Sequence, residues 1–134
     1  MGILIDSSVF INVERSGTDV SAYIKGREEE DAFLSVIAAS ELLHGVHRAA
    51  DPQTKAKRLA FVEGVLAAFP VLAIDLATAR SHAQLWADLA RRGKMIGVHD
   101  AWLAAACLAH GLRLATFNVR EFKRVPGLDV EEWK

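Results

Sequence analysis

The chain has one cysteine, one tyrosine and three prolines in 134 residues. A lone cysteine, Cys107, excludes an intrachain disulfide, so the fold must rest on its own core and a reducing compartment is the natural setting. No apolar run approaches the roughly 18 residues that a membrane span needs. The start, Met-Gly-Ile-Leu-Ile-Asp, has neither a basic flank nor a cleavage-like site, so a cytoplasmic location without a membrane partner is expected. An excess of one charge is missing too: sixteen Lys and Arg against seventeen Asp and Glu give a formal net charge of -1. No global positive field gathers a polyanion, and a nucleic acid would have to meet a local basic patch. Repeats, low-complexity stretches and linkers are absent.

What is present is the balance of one globular domain, with 51% hydrophobic and 25% charged residues, and residues 1–134 are read as that single domain. Gly2 to Ile5 is a short apolar run that stops at Asp6-Ser7-Ser8, and a helix through Phe10 and Val13 follows. Phe33 to Ile37 reads as a second strand leading into the helical spacing of Ala38 to Leu43. Ser16-Gly17-Thr18-Asp19 breaks the segment between them, and Glu28-Glu29-Glu30-Asp31 reads as a solvated helix end or turn. Asp51-Pro52 opens a helix with Leu59, Val62, Leu66 and Phe69 on one face, and Pro70 ends it. Val71 to Ile74 reads as a third strand, Asp75 as the cap of a long helix carrying Ala79, Leu85, Trp86 and Leu89, and Gly93 as its close. Val98 to His110 is apolar almost all round and stops at Gly111. Leu112 to Thr116 is a fourth strand, and Pro126-Gly127 precedes a last short strand or tail ending at Trp133. Alternation of this kind implies an α/β fold: a mostly parallel sheet of four to five strands flanked by helices in three layers.

In such a sheet, a helix that follows a strand begins at the carboxyl edge. Asp6 then lies just past the first strand, Glu41 in the first turn after the second, and Asp100 at the opening of the helix that feeds the fourth. Thr116 and Asn118 leave that fourth strand. Five positions are expected along one edge. Two carboxylates about 5 Å apart repel by roughly 3 kcal/mol at an effective dielectric near 20, so three together call for a proton or a cation. Oxygen ligands without thiolate favour magnesium or manganese over zinc. Each acid alone also suits a helix cap, which is the reading given to Asp75.

Ile3-Leu4-Ile5-Asp6-Ser7-Ser8-Val9, Ala39-Ser40-Glu41-Leu42-Leu43-His44-Gly45, His99-Asp100-Ala101-Trp102-Leu103-Ala104-Ala105-Ala106 and Thr116-Phe117-Asn118-Val119-Arg120-Glu121-Phe122 together resemble the PIN-domain family. The likeness is closest to the VapC-type toxins. It runs over essentially the whole chain, in order, and extends to Val125-Pro126-Gly127-Leu128. The resemblance implies a PIN-like fold and a magnesium-dependent endoribonuclease that leaves a 5′ phosphate and a 3′ hydroxyl. It further implies that Asp6, Glu41 and Asp100 are the metal-binding acids and that Ser8 is a small polar neighbour of the first. Asn118 and Glu121 occupy the two candidate positions for a fourth ligand. The resemblance also implies a homodimer and a small antitoxin that blocks the site, with the Pro52 to Phe69 helix in the dimer or antitoxin surface or else packed in the core.

Two basic clusters flank the expected edge, Arg91, Arg92 and Lys94 on one side and Arg120, Lys123 and Arg124 on the other, and are read as phosphate holders. Trp86, Trp102 and Phe61 read as packing, and His44, His47, His82 and His110 as surface or packing residues. His99, beside Asp100, is at most a ligand-orienting group. A phosphatase using Asp6 as nucleophile would want an acid two positions on, where Ser8 stands. The remaining alternative is a catalytically inactive RNA-binding or interaction module.

Overall fold

The computed structural model describes residues 2–134. Among them are five strands, β1 (Ile3–Ile5), β2 (Ala32–Ser35), β3 (Val71–Leu72), β4 (Arg113–Thr116) and β5 (Val130–Glu132). Seven helices surround them: α1 (Ser7–Ser16), α2 (Ser21–Ile24), α3 (Val36–His47), α4 (Pro52–Ala68), α5 (Leu76–Arg91), α6 (Val98–His110) and α7 (Val119–Phe122). The strands form one sheet in the order β3-β2-β1-β4-β5, and every neighbouring pair is parallel.

β1 is central, and its three residues are buried, as the unbroken Ile-Leu-Ile run demands of a strand covered on both faces. Ile3, Leu4 and Ile5 pair with Arg113, Leu114 and Ala115 on one side, and Ile3 and Leu4 with Ala32 and Phe33 on the other. From β1 the chain builds outward through β2 and β3, then returns to place β4 on the opposite flank. The connection therefore reverses direction at the carboxyl end of β1, where open α/β sheets form a crevice.

α6 runs deep in the fold, with Ala101, Leu103, Ala104, Ala105, Ala106 and Cys107 buried and α5, α3 and β4 packed on it. Its alanines allow that close approach without losing helix propensity. Cys107 is one of these core residues, and burial pushes its thiol up to about 12, so it is inert at neutral pH.

Several boundaries move. The Ser35 hydroxyl accepts from the Ile37 N–H at 3.1 Å and caps α3, so β2 ends two residues before the expected limit. β3 stops at Leu72 rather than Ile74. Trp86 is 57% exposed instead of packed, because Leu85 and Leu89 form the buried stripe and residue 86 is turned roughly 100° away from it. On α4 the buried residues are Val62 and Val65, joined by Phe69 at its C-cap, while Leu59 is exposed.

Candidate active site

The strand exits supply the first group. Asp6 follows β1 at the N-cap position of α1, yet its side chain caps nothing. Its Oδ2 instead accepts from Ser8 Oγ and from Thr116 Oγ1, each at 2.8 Å. Thr116 is fully buried at the end of β4, so its hydroxyl bridges the crevice between β1 and β4 and fixes the aspartate there. The same hydroxyl accepts from the Asn118 N–H at 2.9 Å, and Ser8 Oγ accepts from the Phe117 N–H at 3.2 Å. The first acid is thus buried, 4% exposed, on a small frame of hydroxyls and amides.

Helices bring the other acids. Capping by Ser35 starts α3 at Val36, which puts Glu41 in the second turn rather than the first. It still reaches the edge: Ser7 Oγ donates to Glu41 Oε1 at 3.2 Å, and His99 Nδ1 stands 3.4 Å from Glu41 Oε2. Asp100 lies in the first turn of α6. Glu121, on α7, shares a hydrogen bond with Asp100 and accepts from the Gly97 N–H at 3.4 Å.

Electrostatics report how crowded these four acids are. Asp100 is pushed up to about 7, by burial first, then by the bond to Glu121 and the negative charges of Asp6, Glu121 and Glu41. Glu121 moves the other way, held low by the Asp100 bond, the Gly97 amide and the Arg124 charge. Within the pair, burial drives Asp100 towards its protonated form while the amide and the Arg124 charge favour an ionised Glu121.

The donor set is all oxygen and suits a hard cation. Among the described residues no group of three or more His, Cys, Asp or Glu side chains is drawn together tightly enough to hold an ion. A depression of about 370 Å³ is bordered by Glu41, Gly97, Val98, His99 and Asp100. Gly97 keeps part of it clear. A side-chain carbon there would sit 3.5 Å from Asp100 Oδ2 and 3.7 Å from Glu121 Oε2.

Asp6, Glu41, Asp100 and Glu121 thus meet at one edge. Asn118 stands beside them as the exposed N-cap residue of α7, without a side-chain cap bond. Asp75 is elsewhere. It caps α5 through the Thr78 N–H at 2.8 Å and lies 3.0 Å from His110, at the far end of α6, about 15 Å from Asp100 along the helix.

Of the six flanking cations, three are occupied in the fold. Arg91 and Arg92 pair with Asp88, Arg92 also donates to the Arg124 carbonyl at 3.2 Å, and Arg124 donates to the Met95 carbonyl at 2.8 Å. Lys94, Arg120 and Lys123 are left facing solvent without an ion pair among the described residues. Sequence reasoning did not find Ser7 or Gly97. The Ser-Ser doublet after Asp6 and the glycine three residues before Asp100 were the available signals.

A PIN domain family model matches residues 3–128. "Ribonuclease VapC1" of Rickettsia felis is 35% identical over 130 residues, covering 97% of this chain and 95% of that protein. The "tRNA(fMet)-specific endonuclease VapC" of Salmonella typhimurium is 36% identical over 100 residues, covering 75% and 74%. Among solved structures, DNA-bound VapBC from Salmonella typhimurium superposes with a TM-score of 0.89 at 28% identity over 100% of this chain and 99% of the other. With the match spanning β1 to the residues before β5, and with the acids gathered where β1 and β4 end, the chain belongs to the PIN domain family and groups with its VapC ribonucleases.

Proposed function

We propose that this chain is a metal-dependent endoribonuclease, the toxin of a VapC-type toxin-antitoxin pair, acting as one domain over residues 1–134. The observation that carries the reading is the convergence of four carboxylates on one edge, where burial first, and then the bond to Glu121 and the neighbouring negative charges, push Asp100 up to about 7. A protein rarely gathers uncompensated like charge unless something positive is meant to sit there. Asp6, Glu41 and Asp100 would hold magnesium or manganese, with Glu121 the better placed of the two fourth candidates and Asn118 at the margin. Bound there, the ion would neutralise charge and polarise a phosphodiester.

The protein's own part is positional. Thr116 and Ser8 orient Asp6 by donating to its Oδ2. Ser7 fixes Glu41. His99, 57% exposed over Glu41, is placed to orient that carboxylate rather than to ligate. Lys94, Arg120 and Lys123 offer charge to the RNA backbone on either side.

The same reading makes the chain a cytoplasmic homodimer, silenced by a small antitoxin. The antitoxin partner has the support of a solved neighbour, DNA-bound VapBC from Salmonella typhimurium.

The test is cleavage of RNA by the purified chain. EDTA should abolish it, and magnesium or manganese should restore it. Full cleavage in chelator would end the metal reading, and RNA binding without cleavage under any metal would identify an inactive module.

A further inference from the structure

The connection between α5 and α6 delivers Asp100 to the site, and it is held from outside by one short helix. Within the α5–α6 pair, the Lys94 N–H donates to the Leu89 carbonyl at 2.9 Å, and the Ala101 N–H to the Gly97 carbonyl at 2.9 Å. Two further bonds come from α7 and the residues just after it. Arg124 donates to the Met95 carbonyl at 2.8 Å, and the Gly97 N–H donates to Glu121. A return bond closes the arrangement, from Arg92 to the Arg124 carbonyl at 3.2 Å. Ile96 is the one buried side chain between Arg92 and Gly97, so apolar packing alone anchors this stretch at a single point.

We infer that Arg124 is a positioning residue for the acid edge: its guanidinium fixes the Arg92–Gly97 connection so that Asp100 stays against Glu121. The inference rests on the metal-nuclease reading for its consequence, but the latch itself is a matter of hydrogen bonding. A planar guanidinium can satisfy a carbonyl while its charge faces a carboxylate on the same helix turn, and this suits arginine better than lysine. The inference also reassigns a cation. In a basic cluster beside a nuclease site Arg124 would be taken for a phosphate contact, yet its head group is already turned onto Met95.

The experiment compares the full chain with Arg124→Ala, Arg124→Gln and Arg124→Lys. Three quantities are read: heat of magnesium binding without RNA, amide hydrogen exchange at residues 94–97, and cleavage against magnesium concentration. Outer partners of metal ligands typically change affinity by about 10–100-fold, so Arg124→Ala should weaken magnesium binding by roughly 10-fold. Exchange at Gly97 should speed up by a similar factor, while cleavage at saturating magnesium stays within about 3-fold on the same scale. Arg124→Gln keeps a donor for the carbonyl without the charge, and Arg124→Lys keeps the charge without the fork. Both should fall between wild type and alanine.

If Arg124→Ala leaves magnesium binding and Gly97 exchange unchanged but weakens RNA binding and lowers its salt slope by about 1, the residue is a phosphate contact and the inference is wrong. If the wild-type chain binds no magnesium, the metal-nuclease reading fails separately. Faster Gly97 exchange in Arg124→Ala would then still establish the latch, and unchanged exchange would sink it.

Discussion

Carboxylates gather at two places in this molecule, and they are treated in opposite ways. Around β5, Glu131 takes a two-pronged pair from Arg27, one arm at 2.9 Å, while Arg113 reaches Glu30, Asp129 and Glu131 at 3.4 to 3.5 Å. There the Arg27 bond holds the Glu131 carboxyl below its usual range. At the β1–β4 crevice, Asp6, Glu41, Asp100 and Glu121 have no Lys or Arg salt bridge among the described residues, and Asp100 is pushed up to about 7. The first cluster is neutralised by the fold and ties the last strand down. The second is left short of positive charge, and the difference marks which cluster waits for a ligand.

The largest expected effect separates the two clusters by swapping a single oxygen for nitrogen in each. Asp100→Asn should cut RNA cleavage by at least about 100-fold, the upper end of what even outer partners of a metal cost. Without metal at pH 8 the same change should raise the melting temperature by a few degrees, because it removes one of four crowded negative charges. Glu131→Gln should do the reverse, leaving cleavage unchanged and lowering the melting temperature. Equal cleavage by wild type and Asp100→Asn would reduce Asp100 to a helix-dipole partner.

A pH series sharpens the contrast further. The folded Asp100 holds its proton to about 7, against about 3.9 for an unfolded aspartate, so the native state binds more protons between those values. Its contribution is fully present below about pH 4 and is lost as pH rises through about 7. Glu131 is depressed, so its contribution is present above about pH 4.3 and is lost as pH falls through its lower folded value. Metal-free protein should therefore lose stability from pH 5 to pH 8, and magnesium should offset the loss most at pH 8, where no proton has to leave Asp100. A flat melting curve over that range in EDTA would contradict the protonated pair.

How far this was legible beforehand differs between the clusters as well. Asp6, Glu41 and Asp100 could be placed from alternation alone, because a parallel sheet sends each exit to one edge, and they do meet there, whereas Glu121 was singled out only by the resemblance. The resemblance carried the same residues. What the one-dimensional pattern lacks is side-chain direction over distance. Asp6 and Asp75 both stand before a helix, but the nearby Ser8 hydroxyl and the Thr116 hydroxyl, 110 residues away, hold the first off its cap while Thr78 keeps the second in place. Trp86 looked like packing because its neighbours are apolar, but the helix stripe excludes it. Arg92 and Arg124 read as phosphate holders because both clusters fall beside the site residues, and the Arg124 contact with the Met95 carbonyl lies in a connection whose path no local propensity specifies. The Arg27, Arg113 and Glu131 network was invisible for the same reason: Arg27 and Glu30 lie more than 80 residues from the Arg113 and Glu131 they meet.

The smallest expected effect on chemistry is also the one that tests whether fold and site are separable. Thr116→Val is nearly isosteric, fills the same fully buried volume and removes one donor from Asp6 Oδ2 and one acceptor from the Asn118 N–H. Ser8 remains on the same carboxylate oxygen, so Asp6 should stay in the crevice, less firmly held. The lost bonds should cost about 1–3 kcal/mol of stability, since the carboxylate is a charged acceptor in a dry place and the amide is left without its partner. Cleavage should fall by only about 10-fold, at the low end of orienting effects on metal ligands, and excess magnesium should recover part of it. Thr116→Ser keeps the hydroxyl and loses only a methyl group, so it should restore cleavage while leaving a small stability deficit from the cavity. That split is the deciding measurement. If serine rescues stability but not cleavage, the methyl packing rather than the hydroxyl positions Asp6, and the hydroxyl frame proposed for this acid is wrong.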